Sequence, residues 1–290
     1  MRLHMRSWGQ GERTALLVHG LAADSGTWED VAARIARLGY RVLAPDLRGH
    51  GRSPRGYYSP RALADDLRHT LPTGADLALG HSLGAALLGL AAESLAARRL
   101  VFAEPYWNIG AVTDLPDVPS ASRLMGASAE QLTAQHPDWP EGAAAEAAAR
   151  ERWDPRVMVD LHAFDMPRTP RSAPAPSLVL RAGLPSVAPE LDETQLKRRG
   201  FEVVTLPGAG HLLHHDQPEE FMAALRPWLT GETAADRTDR TDRGRTDGSP
   251  RPVGPAGPAR PTGRTGFAGR TELVEHPGSE APECRPRTRP

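Results

Sequence analysis

The stretch Gly80-His81-Ser82-Leu83-Gly84 constrains this chain more than any other. It follows a short apolar run, Asp76-Leu77-Ala78-Leu79, and precedes a run rich in alanine and leucine over 83–97, so a strand gives way at once to a helix with a serine at the junction. So abrupt a turn forces Ser82 into a strained backbone conformation and presses strand and helix together, which demands small residues two positions to either side. Gly80 and Gly84 meet that demand. The hydroxyl then projects at the carboxyl end of the strand, and the backbone N–H of Leu83, at the helix start, points to where an oxyanion would form.

Strands and helices alternate around this junction. Apolar runs at 14–18, 40–44, 100–103, 177–181 and 201–206 read as strands, and Trp28, Val31, Ile35 and Leu38 give the segment between the first two the spacing of an amphipathic helix. Ser59-Pro60 opens another helix with a capping serine and an N1 proline, with Leu63 and Leu67 on its apolar side. A polar helix is expected over 190–199 and a closing helix over 217–229. This rhythm with short connections predicts a mostly parallel, doubly wound α/β sheet. It breaks between 106 and 175, where helical stretches near 129–136, 141–153 and 155–164 suggest an inserted cap. Trp107, Trp139, Trp153, Met158 and Phe164 are candidates to line a pocket there or to form the cap's own core.

Four segments together resemble the α/β-hydrolase family: His19-Gly20-Leu21 after the first strand, the loop Pro45-Asp46-Leu47-Arg48-Gly49-His50-Gly51-Arg52-Ser53, the Ser82 pentapeptide, and Pro207-Gly208-Ala209-Gly210-His211. The resemblance covers residues 1–230 and implies that Ser82 is a nucleophile and His211 its base. It also implies that the N–H groups of Leu21 and Leu83 form the oxyanion hole, with His19, Gly20, Gly80 and Gly84 shaping the motifs, and that the segment 106–175 covers the site. The loop at 45–53 has no Walker-type lysine, and hydrogen bonds from Asp46 and Arg48 account for its composition.

The chain departs from the family pattern at the third member of the triad. The loop after 177–181 commonly carries an aspartate, and here Ser186 stands where it is expected, with Glu190 and Asp192 further on. Glu104, at the end of the strand that follows the elbow helix, is the expected acid, and Glu190 or Asp192 the alternatives. His211, His214, His215 and Asp216 lack the H-E-x-x-H spacing of a zinc helix, so neither metal nor cofactor is expected.

A net charge of −1 argues against nucleic acid as the partner, and no apolar run approaches the roughly 20 residues of a bilayer span. The N-terminal segment has charges with no apolar stretch behind them, so a cytoplasmic location is expected. A single cysteine, Cys284, excludes an intrachain disulfide. Residues 231–290 hold only Val253, Phe267, Leu273 and Val274 as large apolar side chains, which predicts a disordered tail beyond a hydrolase domain at 1–230. The expected activity is a serine hydrolase acting on carboxylic esters of small molecules. C–C hydrolysis, thioesterase, lactonase and cofactor-free haloperoxidase chemistry are alternatives, as is a non-catalytic module of the same fold.

Overall fold

The computed structural model describes residues 1–110, 126, 128–137, 139 and 142–231. The expected tail, apart from Gly231, and Cys284 lie outside the described residues, as do residues 111–125 of the expected cap.

Seven strands form one sheet in the order β1-β3-β2-β4-β5-β6-β7. They are β1 (Met5–Trp8), β2 (Arg13–Val18), β3 (Tyr40–Pro45), β4 (Leu77–His81), β5 (Leu100–Ala103), β6 (Ser177–Ala182) and β7 (Phe201–Leu206). All neighbours are parallel except β1, which pairs antiparallel with β3. This is the mostly parallel α/β sheet expected. Strand β1 was not foreseen: it has four residues at the sheet's edge, none fully buried, and so lacks the apolar run that marks a central strand.

Burial alternates along the central strands. Leu16 and Val18 of β2 face a core shared with α2 (Pro60–Thr70) and α3 (Leu83–Leu95), while Ala15 and Leu17 face a second core shared with α1 (Glu29–Arg37) and the closing helix. Both faces of the sheet are therefore covered, as a parallel sheet requires. Ser59 caps α2 by accepting from the Ala62 N–H at 3.2 Å, with Pro60 in its first turn.

Between β5 and β6 the described residues hold three helices, α4 (Ala129–Gln135), α5 (Gly142–Arg150) and α6 (Arg156–His162). After β6 the helix expected over 190–199 is shorter. It is α7 (Glu193–Arg198), because Asp192 accepts from the Gln195 N–H at 3.0 Å and so acts as its N-cap. After β7 come a single turn, α8 (Leu213–Asp216), and the closing helix α9 (Pro218–Thr230), which ends on Gly231 in the left-handed conformation.

Candidate active site

Ser82 sits between β4 and α3 with φ 51° and ψ −116°. Strand and helix are packed so closely there that a Cβ on Gly80 would stand 2.6 Å from Ala85 Cα, and one on Gly84 would stand 2.3 Å from the Val18 carbonyl oxygen. Both glycines are required by contact. Gly20 is tight against the same place, since its Cβ would meet Ser82 Cβ at 3.2 Å.

The Ser82 Oγ lies 3.0 Å from His211 Nε2. On the other side of the ring, His211 Nδ1 is 3.2 Å from Ser186 Oγ and 3.5 Å from Glu104 Oε2. Ser186 donates its hydroxyl proton to Glu104 Oε2, which leaves its oxygen to accept from His211 Nδ1–H and from the Ala188 N–H at 3.1 Å. The other carboxylate oxygen, Oε1, accepts the Ala182 N–H at 2.6 Å. Burial alone would raise the pKa of Glu104, yet the hydrogen bonds from His211, Ser186 and Ala182 outweigh it and hold the carboxyl below its ordinary value. Glu104 is therefore ionised at neutral pH. Glu190 and Asp192, the alternative acids, are exposed, and Asp192 is engaged as a helix cap.

Serine and acid share a rigid frame. The Ser82 N–H donates to the Ala103 carbonyl at 2.9 Å, and the Glu104 N–H donates to the Leu180 carbonyl at 2.9 Å. Glu104, like Ser82, has a positive φ, of 47°. Two non-glycine residues in this sparsely populated region, at the ends of adjacent strands, are the kind of strain that persists only where the surroundings enforce it.

Three histidines that do not contact Ser82 Oγ hold the frame. His19 donates from Nδ1 to the Gly20 carbonyl at 2.7 Å and accepts the Leu47 N–H on Nε2 at 2.9 Å, which fixes its tautomer. His50 accepts the Ala22 N–H at 3.2 Å and donates to the Arg48 carbonyl at 3.1 Å, tying the loop after β2 to the loop after β3. Asp46 and Arg48 anchor that second loop: Asp46 accepts the N–H groups of Ser25 and Arg52 at 2.9 Å each, and Arg48 pairs with Asp66 at 2.6 and 2.7 Å. His81 Nε2 donates to the His211 carbonyl at 2.8 Å and so positions the loop that carries the base. Nothing in the Ser82 pentapeptide announced that role, because the partner lies 130 residues away.

These buried imidazoles carry a stability consequence. Burial, with neighbouring histidines, pushes the pKa of His50 down to about 3 and that of His81 well below the usual 6.5. The folded pKa is the depressed one, so the contribution is complete above pH 6.5 and lost as pH falls, when the unfolded chain takes up protons that the folded chain refuses. Between pH 7.5 and 5.5 each group is expected to cost about 1.4 kcal/mol, about 3 kcal/mol together. Urea unfolding at the two pH values measures it, and an unchanged stability would contradict the neutral, buried assignment.

The serine opens into a cavity of about 820 Å³. Leu21 and Leu83 line it beside Ser82 and His211, and Leu83, as the first residue of α3, has an N–H with no intrahelical acceptor. Of the aromatic and methionine candidates, Trp139, Met158 and Phe164 line the cavity. Trp107 is instead packed against Phe102 and Phe201, and Trp153 against His50. No helix among the described residues is long and apolar enough to cross a membrane.

The pattern of the family described as "Alpha/beta hydrolase family" matches residues 15–224. The chain is 45% identical over 74 residues to an uncharacterized protein of Mycobacterium bovis, a match that takes in 24% of this chain and spans only 21% of that protein's length. It is 27% identical over 258 residues to the sn-1-specific diacylglycerol lipase ABHD11 of Mus musculus, covering 74% of this chain and 80% of the lipase. Among solved structures it is similar to an N-formylmaleamic acid deformylase from Pseudomonas putida, with TM-score 0.59, 24% identity, and 77% of this chain and 95% of that one covered. The enol-lactonase from Burkholderia xenovorans is similar to the same degree, with TM-score 0.59, 21% identity, and 79% and 96% covered. At these identities the structural likeness is one of fold.

Proposed function

The chain belongs to the alpha/beta hydrolase family, and on that premise we propose that it is a serine hydrolase that cleaves carboxylic esters of small molecules through an acyl-enzyme. The observation that carries this reading is the 3.0 Å contact between Ser82 Oγ and His211 Nε2, with an ionised carboxylate on the far side of the ring. His211 Nε2 takes the Ser82 proton as Oγ attacks the ester carbonyl carbon, and the N–H groups of Leu21 and Leu83 hold the resulting oxyanion. The imidazolium, stabilised by Glu104, returns the proton to the departing alkoxide as the carbon–oxygen bond breaks. A water molecule, deprotonated by the same nitrogen, then releases the acid and regenerates Ser82.

Esters are favoured over more demanding substrates by what surrounds the serine. Ile109, Met158, Leu161, Phe164 and Met166 give the cavity apolar walls suited to an acyl or alkyl chain.

A fluorophosphonate probe tests the reading directly. Wild-type protein is expected to be labelled on Ser82 and Ser82→Ala to remain unlabelled. Absence of labelling in the wild type, with the fold intact by circular dichroism, would leave a non-catalytic module as the better account. A series of p-nitrophenyl esters of rising chain length then reads the substrate class, and a labelled enzyme that turns over none of them would remove esters from it.

A further inference from the structure

Eight buried side-chain nitrogen and oxygen atoms among the described residues have no hydrogen-bond partner, and five of them fall in one place. They are Glu146 Oε1, Arg150 Nε, both ring nitrogens of His214, and His215 Nε2. A single buried polar atom without a partner costs roughly 1 to 3 kcal/mol; Arg150 Nε–H is a donor that a cation cannot satisfy, but Glu146, His214 and His215 each offer an atom with a lone pair that one can.

We propose that Glu146, His214 and His215 form a binding site for a divalent transition-metal ion of the zinc class, which clips helix α5 to the turn that follows the catalytic histidine. One ligand atom from each of the three side chains lies within 4.8 Å of the others. Tetrahedral zinc with bonds of about 2.1 Å places donors roughly 3.4 Å apart, so the widest of the three separations closes by up to about 1.4 Å on binding. Glu146 Oε1 and His215 Nε2 already stand 3.3 Å apart.

The donor set suits the ion. Two imidazoles and a carboxylate are borderline donors of the kind zinc takes, and the carboxylate leaves one net negative charge to meet the cation. Imidazoles bind metal in the neutral form, through the lone pair of one ring nitrogen. The surroundings orient each ligand. Trp28 lies 4.7 Å from the His214 ring, Trp139 lies 5.2 Å from the His215 ring, and Arg150 Nε is 4.0 Å from the other Glu146 oxygen. Gly142 leaves the space that His215 occupies, since a Cβ there would stand 2.6 Å from His215 Nδ1. Glu146 also lines the large cavity.

The site is distinct from the catalytic chemistry, and its test needs no substrate. The full chain, stripped with EDTA, is titrated with zinc chloride against a chromophoric chelator and, separately, with cobalt chloride, whose visible absorption reports the coordination geometry. One equivalent is expected to bind, with the intense visible bands of a four-coordinate cobalt centre. A hundredfold excess of zinc over Kd is expected to raise Tm by about 5 to 10 °C. Glu146→Gln and His215→Asn are expected to weaken binding at least tenfold and to abolish the rise in Tm, while exposed His69→Ala leaves both unchanged. Each variant's metal-free fold is checked by circular dichroism, so either one suffices if the other fails to fold. No binding by the wild type, or binding undiminished in Glu146→Gln or His215→Asn, would overturn the site.

Discussion

Replacing Ser82 by alanine is expected to lower kcat on a p-nitrophenyl ester by about 10⁶-fold, and His211→Ala by nearly as much, with the double variant no slower than either alone. On the proposed mechanism the two side chains perform one act. At 3.0 Å the hydroxyl is placed to donate to Nε2, and in that mechanism either group without the other leaves only binding and the proposed oxyanion contributions of Leu21 and Leu83. Alanine keeps the Cβ, so the strained φ of 51° at position 82 is retained and the variant reports chemistry with little relaxation of the elbow. Steady-state rates for the two single variants and the double decide it. A Ser82→Ala protein with more than about a hundredth of wild-type kcat, or losses that add in the double variant, would mean that the pair does not act as one unit.

Glu104→Gln is expected to lower kcat by two to four orders of magnitude with KM little changed. Glutamine retains the length of the side chain and an oxygen for the Ala182 N–H, and removes the charge that steadies the imidazolium. The arrangement around Ser186 adds a sharper expectation. Its hydroxyl oxygen is 3.2 Å from His211 Nδ1, closer than Glu104 itself at 3.5 Å, so a carboxylate placed at 186 reaches the same nitrogen. The double variant Glu104→Gln with Ser186→Asp is therefore expected to regain at least tenfold of the lost kcat. Asp192→Asn is expected to change little, because that carboxylate is exposed and caps α7. Full activity in Glu104→Gln together with loss in Glu190→Gln or Asp192→Asn would move the acid to the loop after β6.

What the sequence disclosed was what is local. Gly80, Ser82 and Gly84 announce a strand passing directly into a helix, because each demand falls within two residues of the serine. His211 was legible for the same reason, at the end of a strand in a run of small residues. The choice among Glu104, Glu190 and Asp192 was harder, since it depends on which loop the imidazole meets in space. The polar helix expected over 190–199 starts later, at Glu193, because Asp192 caps it by accepting from the Gln195 N–H, and that bond is a matter of backbone geometry. Glu146 gave no sign at all. It meets His215 from a position 69 residues earlier on an alanine-rich helix, and no spacing rule links the two. A still longer separation, 130 residues, hid the bond from His81 to the His211 carbonyl.

With Glu104 as the proposed acid, at the end of β5 and one strand from Ser82, the loop after β6 need not carry charge. Glu104 is held by the sheet through its own N–H and through Ala182, so that loop contributes only the small hydroxyl of Ser186 toward the imidazole. The remainder of it is free to serve as a doorway. Leu184 and Val187, 52% and 73% exposed, border the cavity from this loop. Selectivity can thus be redrawn at the threshold, by exchanging these two residues, with the proton-handling groups left where the sheet has put them.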